Sequence, residues 1–244
     1  MISPLDDPRT ENVLRKLHAQ DARQVRSLLL RYLPRMAASV FTGRTGIDGS
    51  APREAAFLRD KMVALDADKG RLAYTFCRAL DARRAVEVGT SFGVSTIYLA
   101  AALRDNAALG AGTRTVIGTE IEPTKVAIAR ANIEEAGLDG FVDIREGDAL
   151  ATLVDLPDDI DFLLIDTWIP VALPALKLVA PRLRPGAIVM CDNVRQFAKE
   201  YRDYTNYIRD PANGFRSMLW PKKGGVEISV RTPRGNRQTR AAKA

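Results

Sequence analysis

The segment Val86-Glu87-Val88-Gly89-Thr90-Ser91-Phe92-Gly93-Val94-Ser95-Thr96 ends a short apolar run on a glycine turn and opens a helical one. Such a strand–turn–helix junction leaves backbone N–H groups free at the helix start, where an anionic group binds. Gly89 and Gly93 permit positive φ and close backbone approach, and Ser91 and Ser95 add hydroxyl donors. The spacing is E-x-G-x-x-x-G, whereas a dinucleotide pyrophosphate uses the denser G-x-G-x-x-G. A turn that retains side chains suits an amino-acid carboxylate, and Glu87 would then lie near the matching ammonium. The next apolar run, TVIGTE, ends in Glu120, placed as the acid that accepts ribose hydroxyls in nucleotide-binding sheets. The interval from Glu87 exceeds the ~20 residues of that motif, and the excess falls in the glycine-rich DNAALGAGT stretch. After the third run comes Glu146-Gly147-Asp148-Ala149, where a carboxylate can accept the adenine amino group. Taken together these features describe S-adenosylmethionine. Each has a bland alternative: glycines between a strand and a helix occur without a ligand, and Glu120 and Asp148 could be solvated strand ends.

A second set lies further along. FLLID ends in Asp166, and VMCDN ends in Asp192 and Asn193. Polar residues directly after two neighbouring buried strands meet on one rim of a sheet. Two carboxylates and an amide carbonyl form an all-oxygen set suited to Mg²⁺ or Ca²⁺ and not to zinc. Mg²⁺ keeps open positions for substrate, so a diol could complete its shell. The alternative is that the two aspartates only cap strand ends.

Elements must hold both sets in place. AVEVG, RTVIGTE, FVDIRE, IDFLLID and AIVMC read as buried parallel strands. Helical stretches separate them at Val94–Leu103, Pro123–Ala136 and Val171–Leu183, with Pro123 at a helix start and Gly137 at its end. GFRSMLW and GVEISVR, split by PKKGG, read as a hairpin. The expected fold is α/β: a Rossmann-like, doubly wound sheet of five parallel strands plus a terminal antiparallel hairpin. Residues 1–80 read as an N-terminal helical extension packing on a core over 81–232, with a basic, solvated tail at 233–244. Val13, Leu14, Leu17, Val25, Leu28, Leu29 and Tyr32 follow helical spacing, and Pro34 is expected to end that run. A glycine loop, TGRTGIDGSAP, comes next, then helices over Glu54–Leu65 and Lys69–Leu80. The apolar stripe of these N-terminal helices could cover an acceptor site or pair two copies as a homodimer.

Composition narrows the function classes. The chain has 244 residues, 46% hydrophobic and 27% charged, with a net charge of +6. No apolar run approaches the ~18 residues of a membrane span. The start, MISPLDDPRTENVLRKL, is acidic and proline-broken where a signal peptide is basic and then apolar. Cys77 and Cys191 suggest neither a disulfide framework nor a zinc site, so the expected setting is cytoplasmic. Arg231, Arg234, Arg237, Arg240 and Lys243 carry most of the excess charge. A tail of this kind could touch nucleic acid, but the rest of the chain is near neutral and continues no basic stripe, so nucleic acid is not the expected partner.

The motifs VEVGTSFGVST, TEIEP, REGDAL, LLIDTW and CDNV resemble those of the catechol and caffeoyl-CoA O-methyltransferases, S-adenosylmethionine-dependent enzymes of class I. The resemblance runs from Ala51 to Arg231. It also takes in Leu65-Asp66-Ala67-Asp68-Lys69-Gly70, similar to that family's helix joint, whose backbone helps hold the cofactor carboxylate. It implies that Leu65, Glu87, Gly89, Ser91 and Ser95 serve the methionine part and Glu120 the ribose. Gly147, Asp148 and Ala149 would line the adenine pocket, and Trp168 would wall cofactor and acceptor. Asp166, Asp192 and Asn193 would hold Mg²⁺, with Asp166 in the catalytic set. One position departs: the family's presumed general base, a lysine three residues after the first metal aspartate, is Ile169 here. The acidic residue that catechol enzymes place near the second hydroxyl is also missing around SMLW. The implied function is methyl transfer to an oxygen of a small, aromatic, hydroxylated acceptor. Competing readings are a nucleic-acid methyltransferase, a nicotinamide oxidoreductase, and a cofactor-binding protein without transferase activity. His18, Lys177, Lys199, Tyr201, Tyr204 and Tyr207 read as packing or surface residues.

Overall fold

The computed structural model describes residues 5, 7–42, 62, 64–108 and 110–233, with side chains of 27–42 excepted. Seven strands form one sheet: β1 (Arg84–Val88), β2 (Thr115–Glu120), β3 (Val142–Glu146), β4 (Ile160–Ile165), β5 (Leu183–Cys191), β6 (Phe215–Trp220) and β7 (Val226–Arg231). Their order is β3-β2-β1-β4-β5-β7-β6. The first five run parallel, and β7 then pairs antiparallel with both β5 and β6. This is the expected doubly wound sheet with its terminal hairpin. The chain builds outward from β1 through β2 to β3 and restarts on the other side of β1 with β4. Ligands settle outside the carboxyl ends of the strands at such a switch.

Helices cover both faces: α1 (Pro8–Thr42), α2 (Ala67–Ala79), α3 (Val94–Ala107), α4 (Pro123–Glu135), α5 (Ala149–Thr152), α6 (Ile169–Val179) and α7 (Arg202–Arg209). Strand side chains alternate between two cores, as the period of two requires. Ala85, Phe162 and Leu164 face a core shared with α1–α4, while Val86, Val88, Leu163 and Ile165 face one shared with α6 and α7. Helix α3 is buried almost throughout, which explains the apolar run IYLAAAL on more than one face. Gly70 lets α2 press onto α3, because a Cβ there would lie 2.4 Å from the Tyr98 ring.

The first helix docks through its N-terminal half. Val13, Leu14 and Leu17 enter the α1–α4 core, and the Arg9 guanidinium donates to the terminal carbonyls of Glu134 and Glu135 on α4 at 2.8 and 2.7 Å. Carbonyls in the last turn of a helix lack the usual partner four residues on, and that of Glu134 also accepts from the Gly137 N–H at 2.9 Å. His18 shares a hydrogen bond of 3.1 Å with the Tyr98 hydroxyl, and burial lowers its pKa.

Several boundaries differ from expectation. Helix α1 continues through Pro34. A proline deletes one backbone hydrogen bond, and the Leu-, Arg- and Ala-rich flanks sustain the helix on either side. Most of the expected helix Glu54–Leu65 and the loop before it lie outside the described residues. Met62 is not helical; both its backbone groups bond the Gln24 side-chain amide, at 2.7 and 3.1 Å. The expected helix to Leu183 stops at Val179, since Ala180–Arg182 form one tight turn and Leu183 already pairs with Ile160. Arg231 closes β7, as the strand reading of GVEISVR expected, with its guanidinium on the Asn213 carbonyl at 2.8 Å. Residues 234–244 lie outside the described residues.

Candidate functional site

The glycine turn after β1 is fixed from both sides. Gly89 has φ +100°, and a Cβ there would lie 2.1 Å from the Asp166 carbonyl oxygen. No residue other than glycine fits. The N–H groups of Gly89 and Thr90 both donate to the Thr119 carbonyl, at 3.2 and 2.9 Å. Ser91 comes next with φ +49°. Its N–H donates to Glu120 Oε2 at 2.7 Å, and Glu120 Oε1 accepts from the Glu122 N–H at 3.0 Å. The Glu120 carboxylate thus joins the glycine turn to the end of β2, while each oxygen retains a lone pair for a further donor.

Glu87 lies wholly inside the protein, under the turn. It accepts from the Thr90 hydroxyl at 3.0 Å and from the Thr96 hydroxyl, with the Ser95 hydroxyl beside it. Burial raises its pKa, the three hydroxyls work against that rise, and Glu120 adds to it. Two buried polar atoms at this turn make no hydrogen bond: Glu87 Oε1 and Ser91 Oγ. Native proteins seldom leave such atoms unmatched, and a ligand carrying both ammonium and carboxylate groups suits them.

Gly147 donates its N–H to the Glu120 carbonyl at 2.9 Å, bringing the end of β3 alongside. Asp148 is exposed and caps α5, accepting from the Leu150 N–H at 2.9 Å; Ala149 begins that helix. Apolar side chains stand exposed along the same rim: Ile121 at 58%, Leu150 at 36% and Trp168 at 37%. Ile121 escaped the sequence reading. An apolar residue directly after a strand-end acid was the available signal, and it gives a flat base something to lie on. Leu65 is buried in the α1–α4 core just before α2.

The second set gathers at the ends of β4 and β5. The Asp166 N–H donates to the Val88 carbonyl and the Asp192 N–H to the Ile165 carbonyl, both at 3.0 Å. Asp192 is buried, and its Oδ1 accepts from the Lys69 ammonium at 2.5 Å and from the Asn193 N–H at 2.7 Å. Lys69 is itself only 3% exposed. Burial raises the Asp166 carboxyl well above the ordinary range, the negative charge of Asp192 adds to that, and Lys69 opposes it. Burial also raises Asp192, against the pull of Lys69; the contact itself has ion-pair geometry. Asn193 adopts φ +61°, and its side-chain oxygen faces Gly224, where it would meet a Cβ at 2.5 Å.

These positions test the expected Mg²⁺ site. Asp192 is held by an ammonium and the Asn193 oxygen is turned towards the hairpin loop, so the trio is not an open oxygen cage. Among the described residues, no three acidic, histidine or cysteine side chains group to hold a metal. The residues present do not fit the ion. Sequence reasoning had Lys69 only within a motif. Its signal was helical spacing: Lys69, Ala73 and Cys77 share the buried face of α2, and a lysine on such a face needs an anion inside.

A cleft of about 280 Å³ between α6 and the start of α7 is lined by Ile169, Pro170, Leu173, Pro174, Tyr201 and Tyr204, with Glu200 and Asp203 also at its lining. Tyr201 is buried and feels the charges of Asp166 and Asp192. Ile169, at the position of the absent base, forms part of the apolar wall.

Residues 86–194 match the family model described as a methyltransferase domain. The chain is 34% identical over 136 residues to a catechol O-methyltransferase of Mycobacterium tuberculosis, covering 54% of this chain and 57% of that protein. It is 30% identical over 136 residues to a catechol O-methyltransferase of Niastella koreensis, covering 54% and 58%. The chain therefore spans less than two thirds of these relatives' length. Its fold is that of the O-methyltransferase TomG from Streptomyces achromogenes in complex with SAM, with a TM-score of 0.64 at 22% identity over 81% of this chain and 96% of that one. The resemblance read from the motifs is thereby borne out.

Proposed function

We propose that this chain, whose residues 86–194 match the methyltransferase-domain model, transfers a methyl group from S-adenosylmethionine to an oxygen of a small, hydroxylated aromatic acceptor. The observation that carries this is the Ser91–Glu120 hydrogen bond across the glycine turn, with the unmatched Ser91 Oγ and Glu87 Oε1 beside it. When bound there, the sulfonium supplies an electrophilic methyl group that needs no further activation. The unmatched Ser91 hydroxyl and the N–H groups opening α3 receive the carboxylate. Glu87, with Ser95, braces the turn from below, Leu65 lies just before α2 behind it, and the Gly89 backbone allows close approach. Glu120 accepts from the ribose hydroxyls. Gly147, Asp148 and Ala149 border the adenine, with Ile121 and Trp168 against it.

The acceptor enters the cleft over Ile169 and Tyr201, whose apolar walls suit an aromatic ring, and relatives named for catechol and caffeoyl-CoA support that class. No side-chain hydrogen bond engages the Asp166 carboxylate among the described residues, which leaves it free to accept the acceptor's hydroxyl hydrogen bond. With S-adenosylmethionine bound, its methyl carbon would pass from sulfur, which keeps the bonding electrons, to the acceptor oxygen, and Asp166 would take the hydroxyl proton. Alignment is the main contribution of the protein, since in-line geometry replaces a bimolecular encounter. Mg²⁺ at Asp166, Asp192 and Asn193, implied by the family resemblance, enters no step, because Asp192 is already engaged by Lys69.

No helix among the described residues is long and apolar enough to cross a membrane, and the free, buried thiols of Cys77 and Cys191 suit a reducing, cytoplasmic setting. A homodimer would not use the stripe of Val13, Leu14 and Leu17, which is buried against its own core. Met218 and Val230, exposed on the hairpin, are one apolar surface open to it among the described residues, and light scattering would read the state. The function is tested by thermal shift with S-adenosylhomocysteine against NAD, then by labelled methyl transfer to a panel of phenols and catechols. Stabilisation by the first nucleotide alone, with label on an acceptor oxygen, is expected. Stabilisation by NAD, or no transfer to any acceptor, sinks the reading.

A further inference from the structure

The buried cation at the acceptor end is a lysine. Lys69 reaches in from the first turn of α2, held by the contact of Gly70 with Tyr98. Its ammonium meets Asp192 Oδ1 at 2.5 Å, with both side chains nearly inaccessible at 4% and 6%. It also bears electrostatically on Asp166. Among the described residues Asp192 is the one hydrogen-bond acceptor of this ammonium, and an ammonium has three N–H donors. Two remain to be directed at something, beside Asp192 and within electrostatic reach of Asp166. Above it, Lys222 and Lys223 of the hairpin loop pair with Asp68 and Asp66 at the start of α2, tying that loop over the same end.

We infer that the Lys69 ammonium is the resident cation of the acceptor site: it balances the charge of Asp192, offsets in part that of Asp166, and donates a hydrogen bond to the acceptor oxygen, so that methyl transfer here proceeds without a divalent metal ion. This rests on the methyltransferase reading above, and the bonds made and broken are those already given. A fixed ammonium directed at the oxygen stabilises the negative charge that develops there as the proton leaves. It does so through one donor, not through two open coordination positions. The acceptor class is set accordingly: a single phenolic hydroxyl suffices, and a vicinal diol gains no chelate advantage.

The test has arms that do not depend on activity. Full-length wild-type protein, stripped with EDTA, is titrated with Mn²⁺ by electron paramagnetic resonance and by thermal shift, with Mg²⁺ and Ca²⁺ in parallel. No stoichiometric binding is expected at millimolar ion. In Lys69→Met the two carboxylates lose their counter-ion, and Mn²⁺ should now bind one equivalent and raise Tm by roughly 3 °C. Activity of the wild type should be unchanged by EDTA, and monophenol and catechol acceptors should have kcat/KM values within about threefold. Lys69→Met should lower kcat by on the order of 100-fold. One equivalent of Mn²⁺ bound by the wild type, or activity abolished by EDTA and restored by Mg²⁺, overturns the inference. These wild-type arms decide it even if the variant does not fold. A failure of the methyltransferase reading is seen separately, as absence of S-adenosylhomocysteine binding by the wild type.

Discussion

At the scale of single residues, the site depends on a few positions where geometry leaves little choice. Gly89→Ala places a Cβ 2.1 Å from a backbone carbonyl at φ +100°. Strain of this kind costs about 1–3 kcal/mol before any clash is counted. The expected outcome is a urea midpoint lowered accordingly, together with loss of the thermal shift given by S-adenosylhomocysteine. An unchanged shift would mean that the turn does not carry the ligand. Glu120 offers a gentler probe. Glu120→Gln retains an acceptor but loses the charge that binds the Ser91 N–H and the ribose hydroxyls. Affinity measured by calorimetry should fall about tenfold, in line with ~1.5 kcal/mol for a hydrogen bond to a charged group.

Elements make these residues converge, and their attachments can be weakened one at a time. Helix α1 is anchored at its start by Asp7, which accepts from the N–H groups of Arg9 and Thr10 and pairs with Arg104 at 2.6 Å. Burial alone would raise the Asp7 pKa; the bonds from Thr10, Arg9 and Arg104 outweigh it and hold it at about 2. A carboxyl depressed in the folded state stabilises fully above its unfolded value near 3.8 and loses that contribution as pH falls towards 2. Wild type should therefore exceed Asp7→Asn in urea stability by about 1 kcal/mol at pH 7, allowing for solvent screening of a partly exposed pair. The two should converge near pH 2. A gap independent of pH would contradict the assignment. On the opposite side, α7 is fixed to the hairpin by Arg209, whose guanidinium makes two hydrogen bonds to the fully buried Glu227 of β7. Arg209→Ala strands that carboxylate and should cost roughly 2–3 kcal/mol, read as a drop in Tm.

For the whole molecule, the sheet joins two half-sites contributed by distant parts of the chain. On the proposed reading, the cofactor half comes from the ends of β1, β2 and β3, and the acceptor half from the ends of β4 and β5, with Lys69 added from a helix before the sheet begins. The switch of strand order at β1 and β4 brings the halves together, and the contact of Gly89 with Asp166 is the seam. The basic C-terminal segment is tested by itself. Because Arg231 belongs to β7, a clean deletion begins at residue 234. Removing 234–244 should leave methyl transfer to small acceptors within about twofold and abolish any salt-sensitive RNA retention. A large loss of activity on that deletion would return nucleic acid to consideration as the acceptor.

The amino-acid order alone determined the strands, the glycine turn, the strand-end acid Glu120 and the resemblance that gave the family. These depend on local rules: apolar period, turn chemistry, and the type of residue that closes a strand. It also pointed to Asp166, Asp192 and Asn193 as neighbours on one rim, and the pairing of β4 with β5 brings their backbones together there. Helix ends were less legible. Pro34 is a local signal that its flanks overrule, and the helix expected to reach Leu183 stops at Val179 because Leu183 is already paired with Ile160 in the sheet. What only the tertiary structure decided was the electrical character of the acceptor end. Lys69 and Asp192 are far apart along the chain and meet solely because α2 packs on α3 beneath the ends of β4 and β5. A buried charge must be matched by whatever the fold brings beside it, and no local pattern records which residue that will be.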